Sequence, residues 1–165
     1  MQQVIRSPLA SALMALMFAM TTASANAAVT KNENTIDGVY RSVDDKTGFS
    51  RGLTEVVLRD GVLHGTIIKT IPRPNYTPKK ICTGCPAPFT DQPIEGLDVF
   101  VDMKPVAGKT DEYKGKILDP VSGNLYSGHI KLSRDARKLK LRGYVGLPIM
   151  GRTQWWIREE HPERY

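Results

Sequence analysis

The chain has 165 residues, a formal net charge of +6, and 41% hydrophobic against 24% charged residues. That balance sits near the globular average and excludes disordered and fibrous classes, and the length suits one domain plus at most a removable segment. Two cysteines are too few for a disulfide-dense scaffold or a four-cysteine zinc site.

The chain opens with Arg6, then twelve residues from Leu9 to Met20 without a charge, then small residues ending Ala25-Asn26-Ala27. A positive start, a short apolar run and a small-residue site form a signal-peptide pattern. The apolar run is too short for a spanning helix, which needs about 20 residues. Residues 1–27 are therefore expected to be a signal peptide cleaved after Ala27, with Ala23-Ser24-Ala25 as the alternative site. The mature chain, 28–165 with a core over 36–158, is expected in the periplasm or secreted, where thiols are oxidised.

Beyond that point, short segments alternate apolar and polar residues between turn signals, and none keeps a helical period. The pattern predicts strands at 38–43, 52–58, 62–71, 96–103, 112–118, 124–132, 138–145 and 152–158. Asp60-Gly61 marks a tight hairpin, and Asp119 to Asn124, Ser133 to Arg137 and Gly146 to Gly151 supply further turns. Gly65, Gly115, Gly128 and Gly143 fall inside strands, where glycine marks a bend or a close approach. Eight sequential antiparallel strands with one apolar parity each predict an all-β, single-domain, up-and-down barrel, whose interior holds side chains or one small ligand.

Several blocks are distinctive: Gly38-Val39-Tyr40, Ile94-Glu95-Gly96-Leu97, Gly115 to Pro120, Arg142-Gly143-Tyr144-Val145-Gly146 and Gly151-Arg152-Thr153-Gln154-Trp155-Trp156. In that order, over roughly Ile36 to Arg158, they resemble a family of small exported bacterial proteins known as domain of unknown function 2147. The family is similar in architecture to bacterial lipocalins, which implies a calycin-type barrel enclosing a small apolar molecule. Lipocalins often open with Gly-x-Trp, the ring closing the barrel floor beneath an arginine near the last strand. Gly38-Val39-Tyr40 is the matching triplet here, with Tyr for Trp, and Arg158 or Arg152 takes the arginine's part. The family offers no catalytic residues to carry over.

Inward parity selects Val56, Ile67, Val99, Val101, Tyr126, Ile130, Leu141 and Trp155 as the ligand-binding set, with Trp156 facing outward. Cys82-Thr83-Gly84-Cys85 lies in a Pro-rich loop from Pro72 to Pro93. A local disulfide is the favoured reading there, ahead of a redox couple and a metal site. His129 and His161 have no acid or nucleophile at a telling spacing. With no recognised catalytic motif, the expectation is a non-enzymatic protein without metal or cofactor. Its expected partner is a small apolar or amphipathic molecule, and no nucleic acid is expected. Lys114, Lys116, Lys131, Lys138, Lys140 and Arg142 share the outward parity of three consecutive strands. They form a candidate basic face for an anionic envelope component.

Overall fold

The computed structural model describes residues 35–165, so the expected signal peptide over 1–27 and its cleavage point lie outside the described residues. The strands are β1 (Gly38–Val43), β2 (Ser50–Arg59), β3 (Val62–Thr70), β4 (Phe100–Pro105), β5 (Glu112–Asp119), β6 (Asn124–Leu132), β7 (Lys138–Tyr144) and β8 (Arg152–Arg158). Each pairs antiparallel with the next, and β8 returns to β1, closing the barrel. Closure leaves no open sheet edge. Short 3-10 turns occupy Pro148–Met150 and Pro162–Arg164.

The strands run between two unlike ends. At the lower end, Tyr40, Val56, Leu63, Met103, Ile130 and Leu139 are fully buried and fill the interior. At the upper end, the connections β1–β2, β3–β4, β5–β6 and β7–β8 surround an open mouth.

Seven predicted strands agree with the structure to within two residues. The exception is β4, where regular pairing begins at Phe100 rather than 96. The chain from Gly96 already runs beside β3, with Gly96 N–H donating to the Ile67 carbonyl at 2.7 Å and Val99 N–H to that of Gly65 at 2.9 Å. The Asp98 carboxylate then takes a place in the ladder. It accepts from the backbone N–H of Gly65 at 2.9 Å and of Phe100 at 3.0 Å, and its other oxygen meets His64 Nδ1 at 2.6 Å. With a side chain doing backbone work, alternation fails and Val99 and Phe100 are both buried.

A second irregularity follows at Asp102, whose φ of 49° lies in the left-handed region, and the β4–β5 register shifts between Val101 and Lys104. The extra residue re-aims the strand, so Met103 is buried and Val101 is only half-buried. The expected inward position of Val101 is corrected accordingly.

Strand β8 requires the second correction. Register pairs Tyr40 with Arg158, Ser42 with Trp156 and Leu141 with Gln154. Gln154, Trp156 and Arg158 therefore face inward. Trp155 faces outward and is half-exposed, opposite Lys140, whose ammonium lies 5.8 Å from the ring centre. Trp156 is buried and stacks on Phe100 at 5.7 Å, so the predicted roles of the two tryptophans are exchanged.

Candidate functional site

The floor is built around Tyr40. Its ring is fully buried, its hydroxyl donates to the Ile36 carbonyl at 2.9 Å, and the Arg158 guanidinium lies 4.8 Å from its ring centre. Arg158 also donates to the Tyr40 hydroxyl and to the carbonyls of Thr35, Asp37 and Ala136. Burial pushes the Tyr40 phenol up to about 12, against the pull of Arg158. Arg158, not Arg152, thus takes the expected floor position. Arg152 instead reaches Asp45 at the mouth and holds that carboxyl below its usual range.

Above this plug lies a cavity of about 550 Å³, within the range of small-molecule sites, about 300–1,000 Å³. Its apolar wall includes Ile67, Val99, Ile117, Leu141 and Trp156, with Thr54 and Gln154 as polar points and Tyr126 and Tyr144 nearer the mouth. The indole N–H of Trp156 is buried without a hydrogen-bond partner among the described residues.

Of the expected binding set, Ile67, Val99, Tyr126 and Leu141 line the cavity. Val56 and Ile130 are buried in the packed lower half, Val101 lies off the cavity and Trp155 outside the barrel.

The residues that sequence reasoning missed are mostly cations. Arg51, Arg73, Lys79 and Arg152 line the upper cavity. Arg51 is committed to Asp44, whose carboxyl it holds well below the usual range with help from the N–H groups of Thr47 and Lys46. Arg73 stacks on Tyr76 at 4.1 Å and stands 4.0 Å from Asp44, while the Lys79 ammonium meets the Val121 carbonyl at 3.0 Å. Lys79 thus has no carboxylate partner among the described residues.

The Pro-rich loop brings Arg73, Tyr76, Pro78 and Lys79 to the mouth. It is clipped internally by the Cys82–Cys85 disulfide, with a Cα–Cα distance of 5.6 Å, and by the Ile81–Pro93 bridge. Both cysteines are buried in the core cluster with Ile94 and Leu97. The loop also seats on the β5–β6 turn, where a Cβ at Gly123 would meet the Gly84 carbonyl oxygen at 2.6 Å.

The outward cations neighbour one another as expected, Lys114 pairing through His129 to Arg142 across β5, β6 and β7. The face is partly neutralised, however. Glu112 takes Lys131 at 2.6 Å and His129 at 3.2 Å, and its carboxyl is lowered chiefly by Lys131. The histidines without telling spacing do have acids in space: Glu112 for His129, and Glu163 at 3.1 Å for His161.

Residues 38–158 match the bacterial family described as an uncharacterized protein conserved in bacteria, domain of unknown function 2147, and the chain belongs to that family. No curated protein matches it. Among solved structures, the chain is similar to protein HP1028 from the human pathogen Helicobacter pylori, described as belonging to the lipocalin family. The TM-score is 0.62 with 20% identity, over 78% of this chain and 86% of that one. At that identity the likeness establishes the lipocalin-like fold.

Proposed function

We propose that this protein is an exported, non-enzymatic carrier of a small amphipathic molecule with an anionic head. The observation that carries the reading is the cavity of about 550 Å³, apolar at depth and cationic at its mouth. The apolar tail lies along Val99, Ile117, Leu141 and Trp156, where removal from water favours binding by about 25 cal/mol per Å² of apolar surface. The head meets Arg73, which stands 4.0 Å from Asp44, and Lys79, which is held by the Val121 carbonyl rather than by an acid.

Titration with a long-chain carboxylate and the alcohol of equal length, followed by tryptophan fluorescence, tests this. The carboxylate is expected to bind more tightly, and Arg73→Gln with Lys79→Gln should erase its advantage. Equal affinity in the wild type refutes the anionic head, and failure of both ligands to bind refutes an amphiphile site.

A further inference from the structure

The β7–β8 connection presents apolar side chains to solvent beside the cavity mouth. Val145 is 74% exposed, Leu147 67%, Ile149 84% and Met150 81%, and Val145 and Met150 also line the cavity entrance. Phe49 in the β1–β2 connection and Val121 in the β5–β6 turn are exposed at the same end. Contiguous apolar exposure of this kind marks an interaction site.

The loop is held in shape. Arg142 on β7 donates to the Pro148 carbonyl at 2.8 Å, the Ile149 carbonyl at 3.1 Å and the Thr153 hydroxyl at 2.8 Å. Gly151 packs so closely on β7 that a Cβ there would meet the Gly143 carbonyl oxygen at 2.7 Å. A 3-10 turn over Pro148–Met150 braces the tip without burying any of its residues. Ordering a loop costs conformational entropy, and here the order serves to hold greasy side chains in water.

We propose that the β7–β8 loop is a membrane-docking finger that seats the barrel mouth on an anionic lipid surface. Charge complementarity selects this occupant. Arg73 and Lys79, neither in a close pair with a carboxylate, stand at the same mouth and meet anionic headgroups, while the loop tip enters the boundary between headgroups and acyl chains, as interfacial anchors do. A second copy fits poorly, because a two-fold contact through the mouth brings the same cation-bearing patch of both copies together. The barrel's interior then opens directly onto the bilayer.

The test is co-sedimentation of the full chain with phosphatidylglycerol vesicles and with phosphatidylcholine vesicles, compared with Leu147→Ser/Ile149→Ser and with Arg142→Lys. Leu147 and Ile149 lie off the cavity wall and far out in solvent, so folding and carboxylate binding in the absence of vesicles should persist. Retention on phosphatidylglycerol should fall roughly tenfold or more in the double variant. It should fall also in Arg142→Lys, which keeps the charge but loses the planar fork that spans the Pro148 and Ile149 carbonyls and the Thr153 hydroxyl. Unchanged retention in either variant overturns the proposal, including the case where binding belongs to the apolar run over 9–20, which both variants keep. Absence of binding by the wild type overturns it, and so does a dimer that the double variant disperses.

Discussion

Replacing Arg158 by Met keeps the side chain's length and apolar stem while deleting every donor that clamps the floor. The guanidinium donates to the Ala136 carbonyl at 2.7 Å, to the Tyr40 hydroxyl, and to the carbonyls of Asp37 and Thr35, and it covers the Tyr40 ring at 4.8 Å. Thr35 and Asp37 are exposed and Ala136 and Tyr40 are buried. Water can replace the lost donor at the first two but not at the second pair. Charge-assisted bonds contribute about 1.5–3 kcal/mol each, and the ring contact adds about 0.5–1 kcal/mol. Taking the two sheltered bonds near the lower limit, Arg158→Met should destabilise by about 3–4 kcal/mol in urea unfolding near neutral pH, with an unchanged m-value. Tyr40→Phe, which loses the hydroxyl alone, should cost about 1–2 kcal/mol. The two losses should fall short of additivity because they share a bond. An Arg158→Met cost below about 1 kcal/mol would refute the clamp and reduce Arg158 to a solvated cation.

Two further outcomes follow from the floor and from β4. Burial raises the Tyr40 phenol to about 12, so the folded state favours the neutral ring. The stability this gives is present below the unfolded value near 10 and is lost as pH climbs from 10 towards 12, by about 2 kcal/mol. Unfolding measured across that window should show the fall blunted in Tyr40→Phe. It should not vanish, because burial raises Tyr113 as well; parallel curves for wild type and variant would contradict the linkage. At Gly115 a Cβ would meet the carbonyl oxygens of Asp102 at 2.6 Å and Val101 at 2.7 Å, whereas at Gly143 it meets the Tyr126 side chain no closer than 3.5 Å. Gly115→Ala should therefore destabilise by at least about 2 kcal/mol, since backbone gives way less readily than side chains, and Gly143→Ala by under about 1 kcal/mol. Similar melting temperatures for the two would show that β4 yields.

Strand boundaries were legible because turns and alternation agree along most of the chain. In β6, Gly128, Ile130 and Leu132 are buried while Ser127 and Lys131 are exposed, and in β7 Leu139 and Leu141 lie inside while Lys138 and Lys140 lie outside. A period of two suffices where one face meets core and the other water. It fails in β4, where the Asp98 carboxylate stands in for ladder carbonyls and Asp102 inserts a bulge. Neither event leaves an apolar signature, so Val101 reads as inward when it is not. The glycine reading was partly sound: Gly65 and Gly128 do mark close approaches, with a Cβ at either meeting a side-chain carbon at 2.5 Å, while Gly143 does not.

The misreading of β8 has a different cause, and it bears on function. Alternation equates inward with apolar, and on that rule Trp155 and Ile157 outweigh Gln154 and Arg158. A barrel packed with side chains throughout would obey the rule. This one carries Arg158 inward as the clamp beneath its floor and Gln154 inward on the wall of a cavity. Only Trp156 between them packs as core, against Phe100. Local pattern and structure disagree where the interior stops being core and becomes a site, the place where such conflicts are expected. The cations at the mouth escaped for a related reason. Arg73 and Lys79 come from the loop after β3 and Arg51 and Arg152 from the first two residues of their strands, so no single segment carries a cluster. Closure of the barrel assembles it, and the β3–β4 loop, folded back over the mouth and clipped at Cys82–Cys85, supplies the part that no strand pattern describes.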